Sequence, residues 1–292
     1  MAKKGSTKKK EAKKTKPKST KKGYFLIVPV IIIICIIGLL WFTLAPESAK
    51  AQLIIDSGTV QIKHAGESWT SAEDGMDLYQ SDSVKTGEDS SATIILFGSS
   101  IIRLDSNTEV TLQEIIQQEE ETSVKIKQDA GRTWNTVMKI SGIDDYEVQT
   151  PTTVASVRGT TFDVTVDNES GISIVNVIKG AVNVTGTDNG TVYTVQLNEN
   201  WSITVGLDEM GEQQPFDLDD WILNNLLKDE AFKEDLKNIL YERIEPYIDD
   251  LKDLYGMTDE EIEVLIDNYI AGKFSIPPET PDEFKDLFDL SS

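Results

Sequence analysis

His64 and Cys35 are the chain's lone histidine and lone cysteine, and that scarcity limits its chemistry. A Ser–His–Asp relay or a His-containing zinc site needs histidine beside a second specialist group. Cys35 lies in an apolar run far from His64 in sequence, so neither an intrachain disulfide nor a cysteine-based metal site can be built. His64 reads as a surface residue or one satisfied by its neighbours. The chain contains no Gly-x-Ser-x-Gly, no His-Glu-x-x-His, no phosphate loop and no dinucleotide fingerprint. Carboxylate pairs can act as acid and base, but among 50 acidic residues such pairs arise without function. The acidic stretches do not fit the D-x-[DN]-x-[DN]-G calcium loop. The expectation is a protein that is not an enzyme, with no cofactor and no metal.

The charge is sharply partitioned. Residues 1–22 hold 11 Lys and one Glu, residues 46–215 hold 10 basic and 27 acidic residues, and residues 216–292 hold 7 and 22. An acidic body repels phosphate backbones, so no nucleic-acid partner is expected. Between the basic tip and the acidic body, Gly23 to Pro46 carries no charge, and Tyr24 to Leu44 has the length and apolarity of a membrane span. Tyr24 and Trp41 lie near its ends, where aromatic rings prefer the interface. The lysine cluster should stay cytoplasmic, which predicts a single-pass protein of the cell membrane with residues 46–292 extracytoplasmic. The same lysines would touch anionic headgroups. A cleaved signal peptide is the rival, since Ala49-Lys50-Ala51 resembles a cleavage site, but the apolar run is longer than such segments require.

These residues must be placed by the elements that follow. Residues 53–205 alternate with period two in Val60–Lys63, Val110–Leu112, Phe162–Val166, Ile172–Ile174 and Val182–Val184. Ile94-Ile95-Leu96-Phe97 reads as a strand buried on both faces. Gly98-Ser99, Asp167–Gly171 and Asp188-Asn189-Gly190 are turns, the last a hairpin signal. The region is expected to be all-β, a sandwich or roll. Val60–Trp69 echoes Val124–Trp134 as strand, Gly turn and Trp, which suggests two similar layers or halves. Trp69, Trp134 and Trp201 are expected to fill the core. Asn168, Asn183, Asn189 and Asn200 each begin a sequon that could carry a glycan outside the cell.

The run Tyr146-Glu-Val-Gln-Thr-Pro-Thr-Thr-Val-Ala-Ser-Val-Arg-Gly-Thr-Thr-Phe-Asp-Val164 resembles the signature of the FecR domain, with Thr150-Pro151 followed by Arg158-Gly159-Thr160-x-Phe162. Asp82–Gly87, Phe97-Gly98-Ser99, Ala130-Gly131, Ile178–Val182 and Val195-x-Leu197 resemble the flanking features, over roughly residues 56–205. Asn198-Glu199-Asn200 departs from it where a Gly turn is usual. Beside the resemblance, Gly159 reads as a bulge or close backbone approach. Arg158 reads as a structural residue of the β-core, held by a carboxylate or by carbonyls.

Beyond Pro215 the apolar residues fall at helical spacing. They predict four or five short amphipathic helices over about residues 217–290, split near Pro246 and capped by the boxes at Thr258–Glu261 and Thr280–Glu283. The predicted organisation is a basic cytoplasmic tail over 1–22, a transmembrane helix over 23–45, a linker over 46–55, a FecR-like β-domain over 56–207, a linker over 208–216 and an acidic helical region over 217–292. The resemblance implies an anchored, non-enzymatic binding or sensing module of the cell envelope with an envelope protein as partner. The alternative is a structural or assembly protein that docks an envelope component through its acidic helices. A transmembrane anti-sigma-type regulator fits less well, because the 22-residue tail is too polar to hold a sigma factor.

Overall fold

The structure, a computed structural model, describes residues 51–118, 121–273, 288 and 290. The expected span over 23–45, the tail before it and the second capping box at Thr280 lie outside these residues. Within them no helix is long and apolar enough to cross a membrane.

The alternating segments form strands β1 (Ala51–Ser57), β2 (Val60–Lys63), β3 (Thr70–Ser71), β4 (Asp77–Leu78), β5 (Ser83–Thr86), β6 (Ser91–Leu96), β7 (Ser100–Leu104) and β8 (Glu109–Gln118). The 16-residue β9 (Glu121–Thr136) follows. The second half of the β-region holds β10 (Asp145–Gln149), β11 (Val154–Val157), β12 (Thr161–Val166), β13 (Ser173–Lys179), β14 (Ala181–Asp188), β15 (Thr191–Asn198), β16 (Trp201–Val205) and β17 (Gln214–Pro215). Three helices close the described chain: α1 (Asp220–Ile244), α2 (Ile248–Tyr255) and α3 (Asp259–Ile270).

The strands make two sheets that share β9. One runs β4-β1-β6-β7-β9-β12-β13-β16-β17. The other runs β3-β2-β5-β8-β9-β10-β11-β14-β15. All neighbours are antiparallel except β9 and β10. A single apolar cluster draws Leu53, Ile94, Val164 and Val175 from the first sheet and Ile62, Val84, Ile126 and Val148 from the second. This is the expected all-β sandwich, and the first half is repeated by the second. The hairpin β6–β7 with the pair β5–β8 matches the hairpin β12–β13 with the pair β11–β14. The echo seen in the sequence is out of phase with that repeat. By pairing, β2 corresponds to β10, and the first part of β9 to β15.

Strand β9 changes sheet at Gly131. Residues before it pair with β8 and β10, and residues from it onward pair with β12 and β7. Gly131 has φ +83°, and a Cβ there would lie 2.5 Å from Cα of Thr108 and 2.7 Å from the Asn107 carbonyl oxygen. No other residue fits such an approach. The side chains that face the core at this bend are polar and fully buried. Tyr146 Oη donates to Asn135 Oδ1 at 2.7 Å, Asn135 Nδ2 to Thr133 Oγ1 at 3.0 Å, and Thr133 Oγ1 to Gln128 Oε1 at 2.8 Å. Gln128 Nε2 then donates to the carbonyls of Gly131 and Val164. A buried polar chain is tolerated when every member is satisfied.

Several expectations are corrected. Residues 51–55, expected in a linker, belong to β1 on β6, and Gln214–Pro215 of the second expected linker pairs with β16. Ile94–Phe97 is not a strand buried on both faces. Strand β6 alternates and ends at Leu96, while Phe97 and Gly98 turn with positive φ. Trp134 is wholly buried, but Trp69 is half-buried and Trp201 exposed. The Asn189-Gly190 hairpin forms as expected, with both residues at positive φ between the paired Asp188 and Thr191. The first helix is one element of 25 residues, longer than the short helices expected. It ends at Ile244, where Pro246 forces a 3-10 turn over Glu245–Tyr247. The Thr258–Glu261 capping box is present.

Replacing Tyr146 by Phe removes the donor to Asn135 and leaves a buried acceptor unmet. The expected loss is about 1–3 kcal/mol, read from urea unfolding. An unchanged midpoint would show that the polar chain does not hold the bend.

Candidate binding cleft

The outer face of the first sheet carries charge that a solvent-facing strand does not need to bury. Arg103 on β7, Trp134 on β9, Asp163 on β12 and Asn176 on β13 stand opposite one another in register. Helix α1 covers this row. Its Asp229 accepts from Arg103 Nη1 at 2.5 Å, from Thr136 Oγ1 at 2.6 Å and from Trp134 Nε1 at 3.2 Å. Arg103 and Asp229 are 5% and 3% exposed, so this ion pair is buried. At the start of the helix, Arg132 grips Asp163 with a two-pronged contact at 2.8 and 2.9 Å and reaches Asp219, the helix N-cap, at 2.7 Å. Burial pushes the Asp163 carboxyl up, against the pull of Arg132 and Asn176. Partial burial would raise Asp219 too, but Arg132 and the Ile222 N–H outweigh it and hold that carboxyl below its usual range.

Further along, α1 and α3 pack on each other and on Met138 through Leu236, Leu240, Ile244, Ile262, Ile266 and Ile270. The helical region is therefore docked on the β-domain. Between the two lies a cleft of about 590 Å³. The FecR-like signature supplies part of its β-side wall. Strand β11 leaves one sheet and β12 enters the other through Arg158-Gly159-Thr160, a corner with Gly159 at φ +65°. A Cβ on Gly159 would come within 2.7 Å of Lys139 Cγ. The neighbouring corner at Gly180 takes β13 into β14, and both glycines line the cleft. Thr160 is buried and donates to the Ala181 carbonyl, tying the corners together.

Other signature residues brace this wall from a distance. Thr150 Oγ1 accepts from the amides of Thr152 and Thr153, which closes the turn containing the exposed Pro151. Phe162 is fully buried against Tyr146, edge to face at 6.1 Å. Arg158 does not sit in the β-core as expected. It is exposed and makes a surface ion pair with Asp144 at 3.1 Å, because the corner turns its side chain outward. Asn168, Asn183, Asn189 and Asn200 are all exposed.

The cleft is polar and of mixed charge. Lys139 and Lys179 enter from the β-side and make no ion pair among the described residues. Across from them, Lys233 pairs with Glu230 at 2.6 Å, and Lys237 with Glu263 and Asp267 at 2.9 and 3.1 Å. Hydrogen bonds that Lys237 donates to Glu263 and Asp267 raise its pKa. No group of three metal-ligating side chains occurs among the described residues. His64 Nδ1 lies 2.9 Å from Asp82 Oδ1, far in sequence from the cleft residues. The arrangement suits binding of a polar, charged segment. Sequence reading missed Arg103, Arg132, Asp163 and Asp229. The signal was a charge at an alternate position in otherwise apolar strands, such as Ile101-Ile102-Arg103-Leu104.

Two outcomes test the helix docking. Asp229→Ala leaves Arg103 buried without its carboxylate, and a loss of about 3–5 kcal/mol is expected in thermal unfolding, whereas Arg158→Ala should cost nothing measurable. Equal midpoints for the two variants would remove the buried pair from its role. The second outcome concerns pH. A depressed carboxyl pKa gives stability that is present above the unfolded aspartate range, about 4, and is lost as pH falls through the folded value. The midpoint gap between the parent and Asp219→Asn should therefore be seen at neutral pH and close in acid. A gap that persists in acid would assign the Asp219 contribution to something other than its charge.

Residues 82–183 match the family described as FecR protein. Two crystal structures of a candidate anti-sigma factor from Parabacteroides distasonis, at 2.50 and 1.65 Å resolution, are similar to the chain. They are 19% and 20% identical, with a TM-score of 0.39 for each. Each match covers 50% of this chain and 63% or 64% of the other, so the chain spans less than two thirds of those structures. No curated protein matches. The matched span runs from β5 to the start of β14 and includes the corner glycines 159 and 180, so the chain carries a FecR-like domain over those residues.

Proposed function

We propose that the chain is a membrane-anchored, extracytoplasmic FecR-like module that binds or senses a component of the cell envelope and catalyses no reaction. The observation that carries this reading is the cleft itself, whose β-side wall is the signature corner and whose opposite wall is the chain's own helical layer. Lys139 and Lys179 give the β-side donors for an acidic or polar segment, and the glycine corners let a ligand's backbone come close. The charge-free run over Tyr24–Leu44 supports anchoring, and the lysines before it support a cytoplasmic amino terminus.

A second reading has its own observation. Leu223 and Leu227 are exposed on α1, away from the sheet, at 44% and 71%. Two apolar side chains one helical turn apart suit docking of another protein, as an assembly factor would require.

The test places a photo-cross-linking residue at Lys179 or at Leu227 of the full chain in intact spheroplasts. Capture of an envelope protein from Lys179 supports the cleft. Capture from Leu227 alone supports assembly through the helix, and capture from neither overturns both. Protease added to the same spheroplasts should digest the chain beyond residue 50, and a protected carboxy terminus would overturn the topology.

A further inference from the structure

Each sheet has two edges, and three of the four end in short strands. Strands β4, β17 and β3 are two residues long, and β17 contains Pro215. Short or proline-bearing edges are how proteins prevent strand-to-strand association. The fourth edge is β15, and it has none of these defences. It is eight residues long, Thr-Val-Tyr-Thr-Val-Gln-Leu-Asn, with no charge and no proline. It pairs with β14 along its whole length, from Asp188↔Thr191 to Ala181↔Asn198, and no described residue pairs with its other side. Alternate residues of an antiparallel edge strand turn their N–H and C=O groups outward, so β15 presents an unused ladder.

We propose that the open edge of β15 is a docking site for an extended segment of a partner protein, which adds as a further antiparallel or parallel strand and carries basic residues at its ends. The side chains fit such an addition. Val195 and Leu197 stand opposite Val184 and Val182, facing the core, and Tyr193 continues that face opposite Gly186. Tyr193 is 49% exposed, so an incoming strand whose alternate apolar residues lie on that face would cover surface that is now wet. The charge selects the occupant. Between Lys179 and Lys228 the chain holds eight carboxylates and no Lys or Arg. Asp188 and Glu199 bracket the strand, and Asp208 accepts from Gly190 N at the hairpin tip. A second copy would bring two acidic edges together, whereas a segment with basic ends is attracted to both. The edge meets the cleft only at Glu199, which lines both, and the inference rests on the unpaired strand rather than on the reading of the cleft.

The test uses the full chain in detergent micelles and a synthetic peptide that alternates Val and Thr between two Lys pairs, with a Glu-flanked twin as control. Amide hydrogen exchange across 191–198 is followed by mass spectrometry. At a peptide concentration of about ten times its Kd, exchange there should slow roughly tenfold, and the Glu-flanked twin should leave it unchanged. The proposal is overturned by unchanged exchange at saturation, by equal protection from both peptides, or by protection elsewhere only. The amides that β15 already donates to β14 are protected throughout; protection of its outward-facing amides before any peptide is added also overturns the proposal, and sedimentation then tells a dimer of two edges from cover by the chain's own residues.

Discussion

The rest of the structure depends on one strand serving two ladders. Strand β9 is hydrogen-bonded in the second sheet up to Gly131 and in the first sheet after it, so both halves of the sandwich hang from one continuous backbone. A strand that leaves its sheet strands backbone acceptors, and an apolar side chain cannot satisfy them. The chain answers with Gln128, whose amide donates to two carbonyls, and with a hydrogen-bonded run through Thr133 and Asn135 to Tyr146 on the next strand. Buried polarity here fixes where the strand bends. A wholly apolar bend would pack but would leave its position along β9 unspecified.

The outer face of the same strand sets the position of the helices. Alternation puts Arg132, Trp134 and Thr136 on the side opposite Thr133 and Asn135. Arg103 and Asp163 join them from the flanking strands. Such a row is stable only when covered by a partner that supplies matching carboxylates. Asp219 and Asp229 of α1 do this nearly three turns apart, one at the helix cap and one in its middle. This explains why a helical region rich in acid rests on an acidic domain. Its negative charge meets two of the few guanidinium groups the β-region has.

The sequence conveyed the kind of fold more fully than its geometry. Alternation in Phe162–Val166 and the turn at Asn189-Gly190 were readable because each depends on neighbours a few residues away. The sharing of β9 was not, since a strand that changes sheet keeps the same period throughout. The echo between Val60 and Val124 pointed to a repeat of the wrong phase, because similar strand-turn-Trp patterns occur on strands with different pairing. At the site, the glycine of Arg158-Gly159-Thr160 could be read as a tight corner. The direction of Arg158 could not, because a single residue's shift at a corner decides between core and solvent. The Arg103–Asp229 pair is 126 residues apart and carried no local signal beyond a charge among apolar residues.

The division of labour around the cleft follows from these constraints. Gly159, Thr160 and Gly180 build the corner, and their job is geometric, since two sheets must exchange strands there without a Cβ in the way. Thr150 and Phe162 hold the strands that enter it. None of these side chains carries a charge. The charged groups of the cleft include Lys139 and Lys179 on one side and Glu230, Lys233 and Lys237 on the other. The latter three lie beyond the residues that match the FecR family. The helix that completes the cleft is held from both sides of that boundary, since Arg103, Arg132 and Asp163 lie within the matched residues and Asp219 and Asp229 beyond them. The far wall of the cleft therefore depends on the Arg103–Asp229 pair, which joins a residue inside the matched span to one beyond it.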